Sequence, residues 1–178
     1  RVNEGYPERL PESAQRFEAA RHRDKSAKRC ESVTAADLKA GKVCKLGPAQ
    51  EGVAPQFVTW GDSHSGALLP LYEDFAKAQQ VPIWHTSLIA CSPLTKAENS
   101  PKQHCIDYND AMLAFIREHR IPHVLLASRW PMFLYGENGD VGQVLKAPAN
   151  TSTETYYRQL LEERVQSILD LGAEVWIV

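Results

Sequence analysis

The order of apolar and polar positions describes strands alternating with helices. The apolar run Gln56–Trp60 predicts a buried strand. Ser65–Gln79 then carries Leu68, Leu71, Tyr72 and Phe75 at helical spacing, which predicts a helix with those four on its buried face. Pro82–Thr86 reads as a second strand. Ile106–Arg120 reads as a helix with Tyr108, Met112, Phe115 and His119 in one stripe, and His123–Ala127 as a third strand. Residues 130–150 contain Gly136, Gly139, Gly142 and Pro148 and read as a long loop, a class that often carries function. Thr151-x-x-Glu154 has the form of a capping box. It opens a helix over Glu154–Leu171 with Tyr157, Leu160, Leu161, Val165, Ile168 and Leu169 inward, stopped by Gly172. Ala173–Val178 is a last strand. Upstream, residues 1–12 read as an extended lead-in, Ser13–Arg23 as a short helix and Thr34–Lys39 as one helical turn. Such alternation implies an α/β fold, a three-layer α/β/α sandwich around a central parallel sheet.

Composition narrows the class. With 178 residues, 43% hydrophobic and 24% charged, the chain suits one soluble globular domain, and a net charge of −2 gives no pull towards nucleic acid. No apolar run approaches the roughly 20 residues that span a bilayer. The basic run from Arg21 to Arg29 reads as a solvated face or a tether beside a membrane.

Four cysteines, Cys30, Cys44, Cys91 and Cys105, add a compartment. No C-x-x-C pair suggests a metal site, so none is expected. Local disulfides Cys30–Cys44 and Cys91–Cys105 are the simplest of three connectivities. Each would close a loop of about 15 residues, for roughly 3 kcal/mol on a chain-entropy basis. Disulfides persist outside the cytoplasm; buried free thiols are the alternative.

The candidate chemistry sits after the first strong strand, at Trp60-Gly61-Asp62-Ser63-His64-Ser65. A strand, a glycine turn and a helix start place the Ser63 hydroxyl at the carboxyl end of a strand, where open α/β sheets keep their sites. The α/β-hydrolase elbow G-x-S-x-G would need glycine at Ser65, and a P-loop would need lysine after its glycines.

Gly61-Asp62-Ser63 resembles the first block of the SGNH (GDSL-type) hydrolase family. The longer stretch through Ala67-Leu68-Leu69-Pro70 is similar to the periplasmic SGNH domains fused to membrane acyltransferase-3 proteins, which O-acylate bacterial surface glycans. Tyr6-Pro7, Leu10-Pro11, the cysteine pairs, Cys91-Ser92-Pro93-Leu94 and Ser128-Arg129-Trp130 extend the resemblance. It implies a lead-in and disulfide-closed extension over 1–50 and a catalytic domain over 51–178. It makes Ser63 the nucleophile and a backbone oxyanion donor, with Gly61, Asp62 and His64 in support. It also implies a site on the periplasmic face of the inner membrane and a glycan acceptor such as lipopolysaccharide O-antigen. No cofactor is implied, the acyl donor coming from a membrane acyltransferase domain upstream in the same polypeptide. A free-standing carbohydrate esterase and a catalytically dead glycan-binding domain are the alternatives.

The departures from the family are specific. Where the family has Gly-x-Asn, this chain has Ser128-Arg129-Trp130. Arg129 reads as a charge stabiliser, a sugar-acid contact or a salt-bridge partner, and Trp130 as a sugar-stacking ring or core. The second-block glycine has no match near Ser87–Ser92. None of His22, His64, His85, His104, His119 and His123 follows an aspartate by three residues. The family's Asp-x-x-His base is therefore expected beyond Val178, and the chain reads as cut short. Among the six, only His85 ends a strand on the serine side as a stand-in; His64, His119 and His123 read as pocket wall, packing and surface.

Overall fold

A computed structural model of the chain describes residues 9, 11–12, 15, 30, 32–48, 54–100, 102–135 and 146–178. Most of the lead-in expected over 1–12, all but Gln15 of the helix expected over Ser13–Arg23, the basic run Arg21–Arg29, and residues 136–145 of the expected loop lie outside them. The strands are β1 (Cys44–Leu46), β2 (Phe57–Gly61), β3 (Ile83–His85), β4 (His123–Ala127) and β5 (Glu174–Ile177). The helices are α1 (Ala35–Lys39), α2 (Ser63–Ala67), α3 (Leu69–Gln79), α4 (Gln103–His119), α5 (Trp130–Tyr135) and α6 (Thr153–Leu169).

The strands form one sheet in the order β1-β3-β2-β4-β5. Four are parallel, as the helix–strand alternation requires. β1 pairs antiparallel with β3 at the edge, Cys44 opposite His85, so the sheet is mixed. This three-residue strand is too short to show a period in sequence. It draws residues 44–46 into the same sheet as Ser63's strand.

Alternation along each strand divides the core. Val58, Trp60, Val124 and Leu126 face α4 and α6, against Tyr108, Met112, Phe115 and Ile168. Phe57, Ile83 and Leu125 face α3, against Leu69, Tyr72 and Ala76. Both disulfides take the local pairing, Cys30–Cys44 and Cys91–Cys105, each with Cα atoms 5.2 Å apart.

Three expectations need correcting. The helix over Ser65–Gln79 is two helices, α2 and α3, meeting at Leu68 with Pro70 in the first turn of α3. Proline lacks the N–H that would continue the α2 ladder, so the helix restarts there. Its buried face is Leu69, Tyr72 and Ala76, whereas Leu71 and Phe75 are exposed. The loop from residue 130 opens with helix α5. Helix α6 is capped by Ser152, whose hydroxyl accepts from Thr155 N–H at 3.1 Å, one position after the expected Thr151. Along it Tyr156, Leu160 and Ile168 are buried, and Leu169 is exposed. A complete capping box occurs instead at Thr34 and Asp37, heading α1. Among the described residues no helix is long and apolar enough to cross a membrane.

Candidate active site

The serine turn lies at the carboxyl end of β2, the central strand. The chain turns from β2 onto the α3 face, whereas the chain leaving β4 turns towards α6 on the other face. The two loops diverge there and leave the crevice that open α/β sheets use for ligands.

Asp62 fastens the two sides of that crevice together. It is the N-cap of α2 and is 1% exposed, so its carboxylate needs several donors. Oδ1 accepts from the His64 backbone N–H at 2.8 Å. Oδ2 accepts from the Ser128 hydroxyl at 2.7 Å and the Arg129 backbone N–H at 2.9 Å. Ser63 is thereby held in the first turn of α2 with its side chain exposed. The close packing behind it depends on Gly61, which pairs with Ala127 of β4.

Asp62→Ala would orphan three donors at once. At about 1–3 kcal/mol for an orphaned buried donor, we expect a loss of about 3 kcal/mol or more in urea unfolding. Asp62→Asn should recover only part of this, because its amide NH2 would face N–H donors on one side. Equal stability of the two variants would argue against the clamp.

The remaining site candidates divide by geometry. Ser128 is buried and gives its hydroxyl hydrogen to Asp62, which ties loops together rather than meeting a substrate oxygen. Arg129 is half-buried, with Nη1 3.5 Å from Met132 Sδ. Trp130 packs between the main core and a cluster of Leu94, Phe133, Tyr156 and Leu160, and its Nε1–H donates to the Val178 carbonyl at 2.7 Å. Its indole is therefore used by the fold. Asp62 brings Ser128 and the Arg129 backbone beside the serine turn. An aspartate between a turn glycine and a helix start is a sequence signal for tying the turn to backbone N–H groups, as it does at His64; its reach across to Ser128 and Arg129 is seen only in the fold.

Among the described residues no histidine hydrogen-bonds Ser63. His64 is exposed and gives Asp62 its backbone N–H. His119 packs against Trp84 and Phe115, and His123 stacks on Phe57 with Nδ1 3.2 Å from Glu174. His104 is exposed beside Cys105; with Cys91 it has metal-ligand spacing, but both sulfurs are joined to each other.

His85 is not a stand-in base. It is fully buried on the α3 face beside Tyr72, with Nδ1 2.6 Å from Thr59 Oγ1. Burial pushes its pKa down from 6.5 to about 4. A neutral folded imidazole and a protonated unfolded one make stability rise with pH in that interval. The contribution is complete above 6.5, falls as pH drops and is exhausted near 4, a difference of about 3 kcal/mol. Denaturant melts of wild type and His85→Asn across pH 4–7 should diverge by that pH-dependent amount; parallel curves would contradict it.

A family model described as "SGNH domain (fused to AT3 domains)" matches residues 29–178. The chain belongs to that family. A solved structure, the periplasmic domain of a lipopolysaccharide acetyltransferase from Salmonella ser. Paratyphi A, superposes with a TM-score of 0.56 at 14% identity. The match covers 97% of this chain and 59% of that one, so this chain spans about three-fifths of its relative's length. At that identity the likeness establishes the fold. No curated protein sequence matches significantly. The SGNH domain thus has the mixed, mostly parallel α/β architecture of its structural relative.

Proposed function

We propose that this SGNH domain is the periplasmic part of an O-acyltransferase, in which Ser63 receives an acyl group and passes it to a glycan hydroxyl. Acetyl is the acyl group we favour, and a cell-surface glycan such as O-antigen the acceptor. The carrying observation is the exposed Ser63 at the head of α2, fixed by a buried aspartate at the carboxyl end of the central strand. Membership of an AT3-fused family supports transfer over simple hydrolysis.

In the first half-reaction Ser63 Oγ bonds to the acyl carbonyl carbon while its proton passes to a base. The tetrahedral adduct then expels the donor's leaving group, which takes that proton. In the second half the glycan hydroxyl attacks the Ser63 ester, gives its proton to the base, and Ser63 leaves as a hydroxyl. The Ser63 backbone N–H is the oxyanion donor we assign. The base is the Asp-x-x-His histidine expected after Val178, oriented by its aspartate. The donor is delivered by the membrane domain of the same polypeptide, with no cofactor held in this domain.

The test is to trap the intermediate. Full-length protein in membranes is given acyl donor without acceptor and quenched, and the peptide containing Ser63 is weighed. An added acyl group on Ser63, removed when glycan is supplied, is expected. Glycan acylation with Ser63 never modified would sink the reading.

A further inference from the structure

Polar side chains gather beneath the serine turn, on the α3 face of the sheet. Lower on that face the packing is apolar, through Phe57, Ile83 and Leu46. Thr59 of β2 and His85 of β3 then stand side by side in register, and both are buried. Ser65 of α2 lies over Gly61, where an added Cβ would come within 2.9 Å of Ser65 Cβ. Tyr72 reaches the same layer from α3, its ring centroid 5.8 Å from that of His85. Ser65 and His85 are 0% exposed and Tyr72 5%.

Within this layer three polar atoms have no partner in the protein: Ser65 Oγ, Tyr72 Oη and His85 Nε2. The two hydroxyls face one another, since Ser65 opposes the rise that burial gives the Tyr72 pKa. His85 uses Nδ1 on Thr59 Oγ1 at 2.6 Å. Thr59 Oγ1 also accepts from the Thr86 N–H at 3.4 Å, so its own hydrogen goes to Nδ1 and the neutral ring carries its proton on Nε2. That leaves a ring N–H and two hydroxyls to satisfy. Each orphaned buried group costs about 1–3 kcal/mol, and three together would offset much of a domain's net stability. The neighbouring core shows no such tolerance: Tyr108 donates to Thr86 and Trp60 to Asn109. A buried water makes about three hydrogen bonds to groups of this kind.

We propose that one internal water joins Ser65 Oγ, Tyr72 Oη and His85 Nε2. It accepts the His85 N–H and exchanges hydrogen bonds with the two hydroxyls. Helix α2 has 5 residues, too few to hold a helix by its own ladder, and Ser63 opens it. The Asp62 clamp fixes that turn to the loop after β4. The water fixes it, through Ser65, to β3 and α3. A metal ion is the poorer occupant, because a ring N–H cannot ligate it and two neutral hydroxyls cannot balance its charge. The water holds the turn of Ser63 whether or not Ser63 carries an acyl group.

The test uses the full-length protein. Ser65→Ala and Tyr72→Phe each remove one oxygen atom. Were the hydroxyls orphaned, each deletion would relieve a desolvation cost and raise Tm. With the water, each should lower Tm by about 2 °C or more, and the double variant should lose less than the sum. A rise in either variant, or strictly additive losses, would overturn the proposal. A direct bond between Ser65 and Tyr72 would give the same melts, so His85 supplies the second measurement. With 15N-labelled histidine, and His85→Asn to assign the signal, Nε2 should be protonated and its resonance should move in Ser65→Ala. A proton on Nδ1, or an unmoved resonance, would equally overturn it.

Discussion

Gly61→Ala is expected to cost more stability than alanine at any other described glycine. A Cβ on Gly61 would overlap the Ala127 carbonyl oxygen, and would lie 2.8 Å from that carbonyl carbon and 2.9 Å from Ser65 Cβ. The clash is with backbone, at the paired end of two central strands, so no rotamer change relieves it. Relief requires β2 and β4 to part, or α2 to swing away and break the Asp62 bonds. We expect a loss above about 4 kcal/mol, which for a domain this size is a fall in Tm of about 10 °C or more. Gly66→Ala is the control in the same motif. There the nearest atom to the added carbon is Ser87 Oγ at 3.5 Å, an ordinary contact, and the residue is helical. Alanine should be neutral or slightly stabilising at that position. Thermal melts of the two variants give the comparison. A tolerant Gly61 beside an intolerant Gly66 would mean that the strand spacing is wrong.

That contrast also marks how far the sequence could be read. Strong apolar runs were legible: the strands at Phe57, Ile83, His123 and Glu174 fall where those runs put them. Short or conditional features did not. β1 has three residues, which cannot show alternation, and its existence depends on β3 being an available edge. Leu71 and Phe75 obey helical spacing as well as Tyr72 does. Which of them is buried depends on what lies over β4 and β5, and no local rule supplies that. The site was legible in part for the same reason. Gly61-Asp62-Ser63 is contiguous and recognisable. Ser128, a partner of Asp62, is 66 residues away, and only the fold shows that its hydroxyl hydrogen goes to that carboxylate.

Ser63→Ala should abolish glycan acylation by the full-length protein while leaving the domain intact. The two halves of that expectation rest on different facts. Ser63 is exposed in the first turn of α2, and the clamp uses the N–H of His64 and the side chain of Asp62, so removing Oγ breaks no bond that holds the turn. Unfolding curves should therefore superpose within about 0.5 kcal/mol, the usual scatter for an exposed substitution. Activity should fall by roughly 1,000-fold or more, because losing the nucleophile removes the covalent route and leaves only binding and oxyanion donors. Asp62→Ala would lower activity too, but in step with stability. The Ser63 variant separates chemistry from folding, and the Asp62 variant does not. If Ser63→Ala still acylated its glycan at the normal rate, the acyl group would have to pass straight from the membrane domain to the acceptor. The Asp62 clamp would then be holding a glycan-binding edge rather than a nucleophile.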